Sequence, residues 1–234
     1  VLGRELRDWS RAAFAWPPLV RISVLGAPIG GQMLLEFTGF AAMMVLMGRL
    51  GVTEVAAHQV TILLAASAFM VPLGVSQAAG VLVGNAVGRS DAPGARRAAG
   101  AGTAVGVGFM CVTAVLFLAA PRAFAATLTD EPGVLAVAVT LLPLAGVFQV
   151  FDGLQVVAGG ILRGVADVHV PFVINLLAYW GVAVPLGYGL AFSAGLGPEG
   201  LWWGLVGGLA VASSLLAVRV LARLSGPLAR TYVE

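Results

Sequence analysis

Six long apolar segments dominate this sequence and limit what it can fold into. They cover residues 20–48, 55–87, 95–120, 134–161, 170–192 and 201–221. Each is at least as long as the roughly 20 residues that a helix needs to cross about 30 Å of hydrocarbon. The connectors between them are short and carry turn-forming residues, as in GRSDAPG at 88–94 and GLGPEG at 195–200. We therefore predict an all-α polytopic membrane protein with six transmembrane helices.

Composition supports this class and excludes others. Hydrophobic residues make up 59% of the chain and charged residues only 10%, whereas soluble domains carry about 25% charged residues. The chain has no lysine, so a lysine-containing phosphate-binding loop cannot form. We accordingly expect membrane lipid and no nucleic acid among the partners, and no cofactor.

The positions of the basic residues predict the orientation in the membrane. All 13 basic residues are arginines, and arginine-rich loops stay on the cytoplasmic side. Most of them fall at the ends and loops that an even number of spans places on one side: Arg4, Arg7, Arg11, Arg21, Arg89, Arg96, Arg97, Arg163, Arg219, Arg223 and Arg230. We predict cytoplasmic termini, with a juxtamembrane segment at residues 1–19, a six-helix lobe at 20–224 and a tail at 225–234.

Two carboxylates lie deep inside these apolar segments. Glu36 is in the first span and Asp152 in the fourth. A charged side chain near the middle of a span costs roughly 2.5 kcal/mol or more, so such a residue is by default a candidate for function. We predict that Glu36 and Asp152 belong to a functional site.

Other polar residues share helical faces with these carboxylates. Gln32 lies one turn before Glu36, and Gln149 and Gln155 lie three residues on either side of Asp152. In the fifth span Asn175 and Tyr179 are four residues apart, again on one face. Because polar stripes avoid lipid, we expect these five residues to line a cavity inside the helix bundle. The candidate cavity-lining residues are Gln32, Gln149, Gln155, Asn175 and Tyr179.

Three explanations of the carboxylates remain open from the residues themselves. Each could be protonated and hydrogen-bonded between helices, a structural contact worth roughly 1 kcal/mol. No lysine or arginine lies at similar depth in the sequence, so small cations are the expected countercharge. Oxygen ligands suit Na⁺, and burial also favours uptake of a proton. A site at Glu36 and Asp152 could thus hold either Na⁺ or H⁺.

Glycines and prolines within the spans predict close packing and bending. Small residues recur every fourth position at Gly80, Gly84 and Gly88, and again at Gly200, Gly204 and Gly208. This spacing is typical of helices that approach each other closely in membranes. Prolines inside spans remove a backbone hydrogen bond and can bend the helix; they are Pro28, Pro72, Pro143 and Pro185.

Three segments of the chain resemble multidrug and toxic compound extrusion (MATE) transporters of the NorM-like branch. They are LGAPIGGQMLLEFTGFAAMMVLMGRLGVTEVAAHQV at 25–60, FDGLQVVAGGILRG at 151–164 and VPFVINLLAYWGVAVPLGY at 170–188. Members of that family have twelve helices in two six-helix lobes. The resemblance implies that this chain is the C-terminal lobe, and that an N-terminal lobe comes from the same protein, from a split partner or from a second copy.

The resemblance also implies a function. It identifies Glu36 and Asp152 with the family's acidic residues that bind the coupling cation, Na⁺ or H⁺. It implies antiport of drug-like, amphipathic organic cations across a bacterial-type plasma membrane. A membrane-embedded enzyme would need a paired nucleophile and base or metal ligands, and because the sequence shows no such cluster we expect no enzyme activity. One departure is Phe148, where NorM-like proteins can carry a tyrosine one turn before the aspartate. The alternatives are a lipid-linked sugar flippase of the same superfamily and a structural membrane subunit that transports nothing.

Overall fold

The structure, a computed structural model, describes residues 16–226 and is helical almost throughout. Arg4, Arg7, Arg11, Arg230 and most of the two predicted terminal segments lie outside the described residues. The helices are α1 Trp16–Gly48, α2 Val52–Gly88, α3 Ala92–Ala119, α4 Pro121–Ala125, α5 Pro132–Gly164, α6 His169–Ser193 and α7 Gly197–Ser225. Over the described range there is no strand, and every helix except the five-residue α4 is long and apolar enough to cross a membrane. The predicted all-α fold with six membrane-spanning helices is confirmed.

Helix α5 is the centre of the bundle. It packs against α2, α3 and α7, while α6 packs on α7 and α1 lies against α6 and α2. The core around α5 contains fully buried large side chains, among them Leu141, Leu142, Trp202, Leu205 and Leu209. Since α5 has neighbours on several sides, its residues Gln149 and Gln155 are buried and contact other helices.

Glycines bring α2 and α5 into backbone contact. A Cβ atom added to Gly80 would lie 2.8 Å from the carbonyl oxygen of Gly160, and one added to Gly164 would lie 2.5 Å from the carbonyl oxygen of Gly80. Such distances leave no room for a side chain. The predicted close packing is confirmed at Gly80 and Gly84, whereas a Cβ at Gly88 would meet nothing within 4 Å.

The second glycine series, on α7, makes the same kind of contact with α6. A Cβ on Gly200 would lie 2.5 Å from the backbone nitrogen of Ala191, and one on Gly208 would lie 2.8 Å from the carbonyl oxygen of Ala178. Gly204 contacts the backbone of Gly187. The prediction of close helix packing is therefore confirmed for all three glycines of this series.

Helices α2 and α5 end in hydrogen-bonded turns of the same type. At the end of α5 the N–H of Ala166 donates to the carbonyl of Arg163 at 3.0 Å, and the N–H of Asp167 donates to that of Leu162 at 2.9 Å. This pair of bonds is the Schellman motif, which places one residue in the left-handed region. That residue is Ala166, with φ 57°, and at the end of α2 it is Ser90, with φ 58°.

Helix α6 departs from regular α-helical geometry in two places. The segments Leu177–Ala183 and Gly189–Ser193 are π-helical, on either side of Val184–Tyr188. The intervening segment contains Pro185, whose ring nitrogen cannot donate a hydrogen bond to the preceding turn. Short π segments are frequent at functional sites because they redirect side chains, and Tyr179 lies in the first of them.

Candidate functional site

Both intramembrane carboxylates border one cavity of about 490 Å³. Glu36 enters it from α1 and Asp152 from α5, and α2 and α6 supply other walls. The rest of the lining is mostly aromatic and aliphatic: Met33, Phe37, Phe40, Ala41, Met44, His58, Gln59, Ile62, Ala65, Ala66, Phe69, Phe148 and Tyr179. The cavity therefore combines an apolar surface with two acidic groups.

One oxygen of Glu36 is held by three amide side chains from three helices. Its Oε1 accepts hydrogen bonds from Gln155 Nε2 at 3.1 Å, Asn175 Nδ2 at 3.3 Å and Gln32 Nε2 at 3.4 Å. A carboxylate that accepts several N–H bonds is stabilised in its charged form. These bonds fix one oxygen of Glu36 and leave the other oxygen of the carboxylate available to a ligand.

Asp152 lies on the same cavity and has a different environment. Within residues 16–226 its carboxylate makes no hydrogen bond or ion pair with another side chain, although the residue is half-buried. Asp152 and Glu36 thus border the same cavity with different hydrogen-bond environments. Two carboxyl groups on one poorly solvated cavity disfavour each other's ionised form.

The structure places the five predicted cavity-lining residues in three different positions. Of the five, Tyr179 is the one on the cavity wall. Gln32, Gln155 and Asn175 lie behind Glu36 and contact its carboxylate, so they support the acidic group and do not line the cavity.

Gln149 lies away from this site, contrary to expectation. Its Oε1 accepts a hydrogen bond from Thr113 Oγ1 of α3 at 3.0 Å, and its Nε2 has no partner among the described residues. The reason is geometric. A helix turns by about 100° per residue, so the six residues from Gln149 to Gln155 turn it through about 600°. The two side chains therefore point about 120° apart around α5. The stripe around Asp152 is therefore spread over several faces of α5.

An aromatic cluster packs beside the cavity. Phe148 packs edge-on against Phe40 with ring centroids 5.9 Å apart and against Trp202 at 5.7 Å. His58, only 3% exposed, packs edge-on against Trp202 at 5.6 Å. Phe148, the departure from the NorM-like pattern, thus packs in this cluster, and Tyr179 is the residue with a hydroxyl group in the cavity lining.

The polar groups of the site carry oxygen atoms. Among the described residues there is no group of three or more His, Cys, Asp and Glu side chains that could hold a metal ion. Two carboxylates and neutral oxygens remain, which are hard ligands. The Oε1 atom of Gln155 is buried and has no hydrogen-bond partner in the described part of the chain.

Sequence reasoning missed one residue near the site, Arg163. Although it is at the end of α5, its guanidinium donates to Ser76 Oγ at 3.2 Å and lies close to Gly159, as does the amide of Gln32 that binds Glu36. The expectation that no arginine lies at similar depth overlooked the length of this side chain. Four-residue spacing of Gln155, Gly159 and Arg163 puts them on one helical face, and this signal could have identified it.

A second missed cluster lies at the end of the bundle where α5 turns into α6. Asp167, buried to 5% exposure, accepts hydrogen bonds from Arg219 Nε at 2.7 Å and Arg223 Nε at 2.6 Å. Burial raises the pKa of this carboxyl, but the two arginines outweigh it and hold the pKa below its ordinary value of 3.8. This cluster joins α7 to the α5–α6 turn and is separate from the cavity.

Comparison with known proteins gives the fold and the site a context. The sequence profile of the MatE family matches residues 28–189, which include Glu36, Asp152 and Tyr179. The chain belongs to the MatE family. This result confirms the resemblance to MATE transporters that the sequence motifs indicated.

Relatives of this MatE chain are considerably longer than the chain itself. It is 43% identical over 209 residues to the "Probable multidrug resistance protein NorM" of Brucella suis biovar 1, and 44% identical over 204 residues to the protein of the same name from Xanthomonas axonopodis pv. citri. Each alignment covers 87% of this chain and 44% of the relative. The MatE chain thus spans about half the length of the curated relatives it matches.

Solved structures agree with the fold of this MatE chain. An outward-facing multidrug resistance MATE family transporter of the MOP superfamily superimposes with a TM-score of 0.85 at 17% identity, over 94% of this chain and 49% of the other. A eukaryotic MATE transporter gives a TM-score of 0.81 at 23% identity, over 88% of this chain and 46% of the other. The six-helix bundle is therefore similar to about half of each transporter.

Proposed function

We propose that this chain is one lobe of a secondary transporter that exports organic compounds in exchange for Na⁺ or H⁺. Glu36 and Asp152 are the cation-coupling site in this proposal. The observation that carries it is their joint position on one largely apolar cavity inside a membrane-spanning bundle. Membership of the MatE family and the names of its multidrug resistance relatives support the same function.

The cation would bind between the two carboxylates. Glu36 offers its second oxygen, Asp152 an unpaired carboxylate, and Gln155 a buried amide oxygen without a partner among residues 16–226. An arriving Na⁺ or proton removes the repulsion between the two acidic groups, which favours occupancy. Because the amides that hold Glu36 belong to α1, α5 and α6, a change of charge at this carboxylate is transmitted to three helices at once.

The cavity also suits an amphipathic organic cation. Its walls include Phe37, Phe40, Phe69 and Phe148, whose ring faces attract positive charge and whose surfaces bury apolar groups. A positively charged compound would compete with the coupling cation for the carboxylates. Binding of one then weakens binding of the other, and a coupling of about 2 kcal/mol corresponds to a roughly 30-fold loss of affinity.

The proposed assembly needs a second six-helix lobe. A lobe from the same protein, from a split partner or from a second copy of this chain would complete the pathway, and parallel repeats of this kind build several transporters. Cation binding would then shift the population between states that open to opposite sides of the membrane. In a bacterial-type plasma membrane, the inward gradient of Na⁺ or H⁺ would drive export.

Neutralising each carboxylate in the assembled transporter tests this function. With Glu36→Gln and Asp152→Asn, we expect efflux of a fluorescent organic cation from loaded vesicles to fall by at least about tenfold under an imposed Na⁺ or H⁺ gradient, because the site can no longer change its charge. Glu199→Gln, which changes a carboxylate in the first turn of α7 away from the cavity, is the matched control. Undiminished gradient-driven efflux in both variants would rule out the coupling role.

A further inference from the structure

The Arg163 side chain lies beside the candidate site and is held there by α2. Its Nη2 donates a hydrogen bond to Ser76 Oγ at 3.2 Å. Ser76 is fully buried, and its own hydroxyl donates to the carbonyl of Val156 at 2.7 Å. The hydroxyl proton is therefore committed to Val156, and the oxygen lone pairs face the guanidinium. Ser76 is therefore the hydrogen-bond partner of Arg163 in this structure.

A glycine keeps the space between Arg163 and the Glu36 network open. A Cβ atom on Gly159 would lie 3.7 Å from Arg163 Nη1 and 3.8 Å from Gln32 Nε2, so both groups border the same small space. Gln32 Nε2 is one of the three donors to Glu36 Oε1. Arg163 and an amide that binds Glu36 thus border one space, which no side chain at residue 159 fills.

Among the described residues, Arg163 and Glu36 do not form an ion pair with each other. The ion pairs within 4.0 Å in the described part of the chain are those of Asp167 with Arg219 and Arg223. Arg163 consequently contacts the hydroxyl of Ser76 and borders the same space as Gln32, one of the amides that donate to Glu36.

We propose that Arg163 is a tethered competitor of the coupling cation, whose guanidinium binds Ser76 when the cation occupies Glu36 and moves toward Glu36 when the cation leaves. The inference rests on the proposed function and assigns it a positioning residue. Its consequence is that the cation-free site does not carry two uncompensated negative charges in a poorly solvated cavity. Arg163 therefore weakens cation binding and speeds cation release.

Chemical modification of Glu36 measures this competition without requiring transport. The 234-residue chain is purified in detergent and treated with dicyclohexylcarbodiimide, an apolar reagent for carboxyl groups, and labelling of Glu36 is quantified by peptide mass spectrometry. A Na⁺ series at constant pH and a pH series without Na⁺ are both run, because the proposed function leaves the two cations open. The midpoint is the cation concentration at which labelling of Glu36 has changed by half, and it reports the affinity of that cation for the site.

Variants of Arg163 and Ser76 should shift this midpoint in opposite directions. Arg163→Gln removes the competitor, so we expect the midpoint to fall to about one tenth of the wild-type cation concentration, a typical size for coupling between sites. Ser76→Ala removes the hydroxyl group to which Arg163 donates, so the guanidinium spends more time at Glu36 and the midpoint should rise. Arg163→Lys keeps the charge and should restore a midpoint close to wild type.

A matched control separates competition from a general loss of positive charge. Arg219→Gln removes an arginine that is engaged by Asp167, and it should leave the midpoint unchanged. Equal or weaker cation binding in Arg163→Gln, with a normal wild-type response, would overturn the competitor role and leave the proposed function intact. If neither cation altered labelling of Glu36 in the wild type, the coupling site itself would be wrong and the inference would fall with it.

Discussion

Asp167 shows how a single side chain can connect three helices. It sits in the turn between α5 and α6 and accepts hydrogen bonds from Arg219 and Arg223 of α7. Asp167→Asn leaves both guanidinium groups without their acidic partner, and we expect the free energy of unfolding to fall by about 2 kcal/mol, because breaking a buried charge pair is costly. Denaturant titration of the detergent-solubilised chain, followed by circular dichroism, measures this change.

The contact of Asp167 with the two arginines should make the free energy of unfolding fall at low pH. Because the arginines hold the pKa of Asp167 below its ordinary value of 3.8, the contribution of Asp167 is fully present above that value and is lost as the pH falls through the lowered pKa. Asp167→Asn should lack this acid-dependent loss. Asp91→Asn is the control, since Asp91 caps α3 through Gly94 N–H at 2.8 Å and asparagine caps equally well. An identical acid response of wild type and Asp167→Asn would contradict the assignment.

Helix ends supply a prediction at the level of a single element. Ala166 occupies the left-handed position of the turn after α5, with φ 57°. A residue with a Cβ is strained there by about 1 kcal/mol or more, whereas glycine is not. Ala166→Gly should therefore raise the free energy of unfolding by about 0.5 kcal/mol after the entropy of glycine in the unfolded chain is subtracted.

An Ala→Gly substitution inside a helix should instead lower the free energy of unfolding. Ala101 is exposed in the middle of α3, where Ala→Gly costs about 1 kcal/mol. Thermal unfolding of Ala166→Gly and Ala101→Gly, compared with the wild type in the same detergent, tests both expectations. A loss of stability in both variants would show that strain at Ala166 is unimportant.

Helices α2 and α5 cross closely near the site. A Cβ on Gly160 would overlap the backbone oxygen of Ser76, which cannot move without moving α2. Gly160→Ala should thus separate the helices and lower the free energy of unfolding by about 2 kcal/mol, as overpacking does elsewhere. Gly108→Ala on α3, where the added Cβ meets nothing within 4 Å, should be neutral or stabilising. Equal melting temperatures of the two variants would show that the crossing tolerates a side chain.

In the whole molecule, the features that were predicted correctly from the sequence are those that depend on hydrophobicity and on small residues. Six apolar segments became six helices because a membrane-length run of apolar residues has few alternatives, and each helix extends slightly past its apolar run at most ends. The close packing at Gly80, Gly84 and the α7 glycines also followed from spacing alone. The two carboxylates were found because their cost in lipid is independent of the fold.

Positions that depend on rotation between helices could not be predicted. Gln149 was grouped with Asp152 from spacing, yet it faces α3, because which face of α5 meets which neighbour is set by tertiary packing. Asn175 was expected on the cavity wall and instead supports Glu36 from behind. Arg163 was dismissed as a residue at a helix end, although its long side chain reaches back toward the site. Each of these differences arises from side-chain direction, which sequence spacing determines poorly.

The orientation of the whole bundle in the membrane follows from its arginines and is directly testable. The ends of α2 and α7 carry arginine, whereas the turn before α5 carries Asp130 and Glu131, so the former end should face the cytoplasm. In a Cys111→Ala background, an impermeant maleimide should label Ala126→Cys in intact cells and should label Ser90→Cys only after the membrane is opened. Both positions are exposed, so access depends on the side of the membrane. Labelling of Ser90→Cys in intact cells would invert the orientation, and the carboxylates would then meet the cation gradient from the opposite side.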